Sequence, residues 1–193
     1  MWPIFLTQHV LATLFAATLG VWLLVELRQA LRGRAEATQA DRHSLLVLRV
    51  CFAIGFLLGA LARRAAVAAI PSSPYLIGLI LLGMWVGIGL RWWCFQTLGR
   101  YFTFSVMTSK DQPVINTGPY QVLRHPSYSG LLLILLSIGL TFGNWLSLAA
   151  VMLFASIGLL NRIRVEEAAL ATAVGAQYEA FARGRKRLVP FVW

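Results

Sequence analysis

Residues 45–62 read LLVLRVCFAIGFLLGALA and are closed by Arg63 and Arg64. A run of about 18 or more apolar residues with almost no charge reads as a helix that crosses a bilayer. The single interruption, Arg49, stands near the start of the run, where a long side chain can reach the interface while its stem stays in the apolar phase. Working outward, Ile4 to Leu27 forms an earlier apolar run with no basic residue before it. Its length exceeds the short apolar core of a cleaved signal peptide, so a spanning helix is expected there. Tyr75 to Leu90 forms a third run after the turn Pro71-Ser72-Ser73-Pro74, and it leads into Arg91-Trp92-Trp93. A charge beside aromatic rings is the pattern of a membrane interface. Leu131 to Phe142 and Trp145 to Leu160 are two further runs split by Gly143-Asn144. Each is short for a lone span, so a tight helical hairpin is expected, followed from Asn161 by an amphipathic tail.

Composition agrees with this division. Charged residues make up 12% of the chain, against about 25% in a typical soluble domain, too few to coat a water-facing surface. The expected fold is therefore an all-α polytopic membrane protein of about five transmembrane helices, forming a single membrane domain over residues 1–193. The net charge of +10 does not point to nucleic acid, because the basic residues stand at the ends of apolar runs. They behave as topology signals. Arg28, Arg32, Arg34 and Arg42 fall in the first loop, Arg91, Arg100, Lys110 and Arg124 in the third. Arg162, Arg164, Arg183, Arg185, Lys186 and Arg187 fall in the tail, while the opposite side holds Arg63 and Arg64. The positive-inside rule then puts the N-terminus outside and the third loop and C-terminus in the cytoplasm. Cys51 and Cys94 both lie in apolar runs, and two thiols with three scattered histidines make no metal site.

Two polar segments thus share the cytoplasmic face. In the first, Gly118-Pro119 sets a turn, and Pro126 drives His125 out of the helical region. Tyr120, Arg124, His125 and Tyr128 can then converge, although Arg124 reads equally as a topology charge and His125 as a helix-start residue. In the second, Arg162 and Glu166 lie on nearly one helix face, and Glu167 is rotated from Arg162 by about 140°. A solvated Arg162–Glu166 pair would account for two of these residues and leave Glu167 without a role.

Taken together, Gly118-Pro119-Tyr120-Gln121-Val122-Leu123-Arg124-His125-Pro126-Ser127-Tyr128-Ser129-Gly130 resembles the G-x-Y-x-x-x-R-H-P-x-Y-x-G signature of the isoprenylcysteine carboxyl methyltransferase family. It is similar also to the wider group of integral-membrane phospholipid methyltransferases. Arg162-Ile163-Arg164-Val165-Glu166-Glu167, with Gly175 and Tyr178, resembles the family's R-x-x-x-E-E…G-x-x-Y tail. The likeness covers roughly Val106 to Pro190. It implies methyl transfer from S-adenosylmethionine at the cytoplasmic face to a lipid or prenylated acceptor that enters from the bilayer. The acceptor it suggests most directly is the carboxylate of an isoprenylcysteine or similar isoprenoid. Residues 1–98 would then supply helices and 99–193 the cofactor-binding region. By position, Gln112, Val114, Ile115, Tyr120, His125, Pro126, Tyr128 and Glu167 are the implied cofactor contacts. Gln112 departs from the histidine common in the family, and Val114-Ile115 from its Leu-Val. Arg162 is the implied residue that orients the acceptor, so Arg162 and Glu167 are the implied catalytic pair.

The residue types suit that chemistry. A sulfonium methyl is already activated, so the protein mainly aligns the reactants. A carboxylate acceptor is ionised at neutral pH and can be clamped by Arg162, whereas an amine acceptor would need Glu166 or Glu167 as a base. Methylation of a phospholipid amine, an NADPH-dependent sterol-reductase-like activity and a non-enzymatic membrane scaffold are the competing readings. The first expectation to check is spatial: the His125-Pro126 turn and the Arg162–Glu167 helix must meet.

Overall fold

The computed structural model describes residues 9–31, 38–39, 43–102, 107–108 and 113–190. Among them are six helices: α1 (His9–Ala30), α2 (Ser44–Ala62), α3 (Pro74–Leu98), α4 (Pro126–Leu140), α5 (Trp145–Val174) and α6 (Ala176–Ala182). Two-residue strands β1 (Thr38–Gln39) and β2 (Met107–Thr108) pair antiparallel, Thr38 against Thr108. The all-α membrane architecture is as expected. Three stretches, Ser44–Ala62, Pro74–Tyr101 and Trp145–Val174, are long and apolar enough to cross a membrane. Helix α4 has 15 residues and so rises only about 22 Å.

Local sequence explains where the helices begin and stop. Ser73 caps α3, its side chain accepting from the Leu76 amide at 3.1 Å, and Pro74 occupies the first helical position. Asn144 caps α5 by accepting from the amides of Leu146 and Ser147 at 2.9 and 3.2 Å. Such side chains satisfy amides that the first helical turn leaves without partners. Gly175, at φ 49° and ψ −123°, ends α5 in a conformation that side chains with a Cβ rarely adopt.

The fifth apolar run and the amphipathic tail are not separate pieces. Helix α5 continues unbroken for 30 residues from Trp145 past Glu167 to Val174, about 45 Å at the usual rise. Nothing between Leu160 and Glu167 breaks a helix, so the polar residues are carried on its extension beyond the apolar run. Val114 and Ile115, implied cofactor contacts, lie in an irregular stretch before the 3-10 turn Gly118–Gln121. Gln112 lies outside the described residues.

Helices α2 and α5 pack along one seam and α3 and α4 along another, with α4 and α5 joining the two. The α2–α5 seam is built from Leu48, Val151, Ala155 and Leu159. The α3–α4 crossing is closer still. A Cβ placed on Gly87 would lie 2.7 Å from the Gly130 carbonyl oxygen, and one on Gly130 would lie 2.9 Å from the Gly87 oxygen. Of the four glycines on α3, Gly83 and Gly87 face α4, while Gly78 and Gly89 have open space beside them. Leu79, Leu82, Trp85 and Val86 are exposed on the outer face of α3, as expected of surface that meets lipid tails.

The bundle has two distinct ends. At one, the connection after α2 meets the α4–α5 turn. Asn144 Nδ2 donates to the Ala65 oxygen at 2.8 Å, the Ile70 amide to the Gly143 oxygen at 2.8 Å, and Ser147 Oγ to the Gly59 oxygen at 2.7 Å. At the other end lie the start of α2, the end of α3, the start of α4 and the polar part of α5.

Candidate active site

The site begins with a turn. Gly118 has φ 54°, and a Cβ there would stand 3.0 Å from Thr97 Oγ1 and 3.2 Å from Trp93 Nε1. Glycine is required both by the conformation and by the close pass over α3. The turn delivers Tyr120 into a cluster with Cys94, Tyr178 and Phe181, against which Val114 packs. His125 follows, at φ −128° and ψ 56°, outside the helical region as its position before a proline requires. Pro126 opens α4 at the position where no amide is needed. The first turn of α4 then aligns Tyr128 with His125, their rings stacked at 5.6 Å with 17° between the planes.

Opposite this turn stands the polar part of α5. His125 Nε2 lies 3.3 Å from Glu167 Oε1, and Arg124 Nη1 donates to the same oxygen at 2.8 Å. Arg187 completes the shell, Nε donating to Glu167 Oε2 at 3.0 Å and Nη2 at 2.9 Å. Three cationic or protonatable groups therefore converge on one carboxylate. Glu166 is served separately: the Tyr128 hydroxyl donates to its Oε2 at 2.7 Å, while His125 Nδ1 stands 3.9 Å away. The same hydroxyl accepts from Arg162 Nε at 3.2 Å. Tyr128 is thus inserted between Arg162 and Glu166. Arg162, only 3% exposed, also donates from Nη1 to Ser44 Oγ at 2.7 Å, fastening α5 to the start of α2.

The C-terminal segment closes the site from below. The amides of Arg124 and His125 donate to the carbonyls of Lys186 and Arg187 at 2.9 and 3.0 Å, and Ser129 Oγ donates to the Leu188 carbonyl. Arg185 reaches back to Asn116 Oδ1 at 2.7 Å and the Gln121 carbonyl at 3.2 Å. Of the basic residues between 183 and 187, Arg183 and Lys186 are exposed, whereas Arg185 and Arg187 are half-buried. Arg187 is a site residue that sequence reasoning missed. It lies 20 residues from Glu167, beyond any helical spacing, and only the return of the chain brings it near.

Electrostatics follow from this packing. Burial pushes the Tyr178 hydroxyl well above its ordinary pKa, with Glu167 and Glu166 adding to the shift. Burial likewise raises Tyr120. Both phenols are therefore neutral donors at physiological pH. The hydrogen bond to Glu167 raises Arg187 further, so it stays charged. Tyr178 is 7% exposed, and its buried hydroxyl has no hydrogen-bond partner among the described residues. The Arg124 guanidinium acts on this hydroxyl in the opposite sense to burial, drawing its pKa down.

His125 bonds Glu167, Tyr128 bonds both Arg162 and Glu166, and the His125–Tyr128 ring stack joins these two sets with Pro126 at the turn between them; Tyr120 and Val114 form the apolar wall beside them. Ile115 is half-buried in the irregular stretch nearby.

A bundle of long apolar helices carrying a charged, largely buried centre at one end defines an integral-membrane protein of enzyme type. Comparison with known proteins gives the class a family. The model of the isoprenylcysteine carboxyl methyltransferase family matches residues 77–172, which run from α3 through the Glu166–Glu167 pair. Protein-S-isoprenylcysteine O-methyltransferase B of Arabidopsis thaliana is 29% identical over 196 residues, covering 97% of this chain and 93% of that protein. A probable protein-S-isoprenylcysteine O-methyltransferase of Oryza sativa subsp. indica is 31% identical over 118 residues, 60% of this chain and 61% of the relative. The uncharacterized protein YpbQ of Bacillus subtilis is 28% identical over 116 residues, 60% of this chain and 67% of the relative. The chain belongs to the isoprenylcysteine carboxyl methyltransferase family and is a membrane methyltransferase.

Proposed function

We propose that this enzyme transfers the methyl group of S-adenosylmethionine to the carboxylate of an isoprenylcysteine or a similar isoprenoid acid. The observation that carries the reading is the 3.3 Å approach of His125 to Glu167, which joins the two polar blocks in one centre. The donor set suits the cofactor. Glu167 and Glu166 offer negative charge to its cationic groups, and Arg124 and Arg187 offer positive charge to its carboxylate. The His125–Tyr128 stack and Tyr120 supply ring surfaces. Tyr178, whose buried hydroxyl lacks a partner among the described residues, supplies a neutral donor. When bound, the cofactor provides an activated methyl group on sulfonium sulfur.

The chain's own residues have simpler tasks. Glu167, held by Arg124, His125 and Arg187, fixes the cofactor end of the site. Arg162 orients the acceptor carboxylate, since a guanidinium binds that group through two parallel N–H bonds. No general base is needed for an ionised carboxylate, so Tyr128 and Glu166 serve to hold Arg162 in place. The 193 residues act as one membrane domain, with the N-terminus outside and the site at the cytoplasmic end, where fourteen of the basic residues collect. The acceptor's apolar tail stays in the bilayer while its carboxylate reaches the bundle end.

Calorimetry on detergent-solubilised protein tests the cofactor: binding of S-adenosylmethionine and not NADPH is expected, and binding of NADPH alone overturns the assignment. Membranes incubated with methyl-labelled cofactor test the acceptor. A base-labile methyl ester on a prenylated acid is expected, and label on a phospholipid amine would replace the carboxylate reading.

A further inference from the structure

Arg91 stands in the sequence as an interfacial charge ahead of Trp92 and Trp93, but the structure buries it. It is 3% exposed inside the bundle. Its Nε and Nη2 form a two-pronged contact with both carboxylate oxygens of Glu26 on α1, the second at 2.7 Å. Trp22 Nε1 donates to Glu26 Oε1 at 2.9 Å, which holds the carboxylate from its own helix. The remaining prong, Nη1, donates to the Ser127 carbonyl at 2.9 Å and to Ser127 Oγ at 3.1 Å. The guanidinium carbon also lies 5.0 Å from the Phe95 ring centroid.

Ser127 lies in the first turn of α4, between His125 and Tyr128, the two rings that meet Glu167 and Glu166. We propose that the Glu26–Arg91 pair positions the methyl-transfer site. It holds the first turn of α4 so that His125 and Tyr128 face α5. This rests on the function proposed above. A guanidinium is planar, so a carboxylate gripping one edge also sets the direction of the other edge. Glu26 therefore aims Nη1 at Ser127. The close glycine crossing is a second, independent feature of the arrangement. With no Cβ on Gly87 or Gly130, α3 approaches α4 until a Cβ at 130 would lie 3.0 Å from Arg91 Cγ, and the side chain lies directly against the turn. Stability alone does not account for the pair. Apolar residues of similar size often replace a buried ion pair without loss, whereas they cannot direct a hydrogen bond.

The test separates holding the helices together from aiming the turn. The exchange variant Glu26→Arg/Arg91→Glu keeps an ion pair between α1 and α3, but a carboxylate at 91 has no proton to donate to the Ser127 carbonyl. Folded yield and thermal midpoint in detergent are expected to recover toward wild type. The KM for S-adenosylmethionine is expected to stay raised about tenfold or more, with the acceptor KM rising alongside it because Tyr128 holds Arg162. A wild-type cofactor KM in the folded exchange variant overturns the proposal. If that variant does not fold, Trp22→Phe decides. It removes the bond that steadies Glu26 while keeping a ring against the core, and a rise of about twofold to fivefold in cofactor KM is expected. An unchanged KM overturns the proposal. Hydrogen exchange provides a readout without cofactor: amides from Arg124 to Leu131 should exchange faster in the variants than those at the Asn144 end. Uniform exchange throughout the bundle would also overturn it. Failure of the wild-type enzyme to bind S-adenosylmethionine would instead remove the proposed function, and the exchange pattern would still decide the role of Arg91.

Discussion

The two ends of the bundle are held by different chemistry. At the Asn144 end, every fastening named above is neutral: an amide side chain, a serine hydroxyl and main-chain groups, each bonded to an adjacent connection or helix. At the site end, charged side chains do the joining: Arg91 with Glu26, Arg124 and Arg187 with Glu167, and Arg162 with Ser44 and Tyr128. Neutral bonds suffice to turn a chain at a membrane boundary, and charge carries a desolvation cost that packing does not require. Under the proposed function, the charge concentrated at one end serves to hold ligands rather than to support the fold.

Mutations at the two ends should accordingly separate activity from stability. The largest effect is expected from Glu167→Ala, which leaves Arg124, His125 and Arg187 without their common partner. Turnover should fall by at least about 100-fold, with cofactor binding by calorimetry weakened more than in any other single variant named here. Full activity in Glu167→Ala would refute the role given to this residue. Arg162→Ala should follow, lowering kcat by roughly 100-fold while cofactor affinity stays within about threefold of wild type, as binding and turnover assays on one preparation can show. Arg187→Ala removes a two-pronged contact with Glu167, and cofactor binding should weaken by about tenfold, or about 1.4 kcal/mol. At the other end, Asn144→Ala deletes the α5 cap and the donor to Ala65. Unfolding in detergent should register a loss of about 1–2 kcal/mol, with kcat per folded molecule unchanged. Lys186→Ala, which alters an exposed side chain, should leave both quantities at wild type and at most reduce binding to anionic vesicles.

The helices were legible because bilayer thickness imposes a length and an apolar composition on each one separately. Residues 45–62 reveal α2 without any knowledge of its neighbours. The His125-Pro126 turn was legible too, since proline restricts the residue before it whatever the tertiary setting. What escaped detection depends on chain return. Arg187 is indistinguishable in sequence from Arg183, yet one grips Glu167 and the other is exposed. Arg91 reads as an interfacial residue because Trp92 and Trp93 follow it. Its true partner, Glu26, lies 65 residues earlier, on a different helix. The continuity of α5 was hidden by a change from apolar to charged residues, which marks the edge of the membrane and says nothing about helix breaking. Periodicity and composition report an element's surroundings one segment at a time, and pairs between distant segments leave no such trace.

The return segment around residues 186–188 is fastened to the start of α4 mainly through peptide groups, with the amides of Arg124 and His125 as donors. Fastening of this kind is indifferent to which side chains the segment carries, so its composition is free to drift without releasing the lock on the His125-Pro126 turn. It is vulnerable in a different way. Proline at position 124 or 125 would strip a donor from the backbone, and the tail would peel away, taking Arg187 with it, although every acidic and basic group on α5 remained intact.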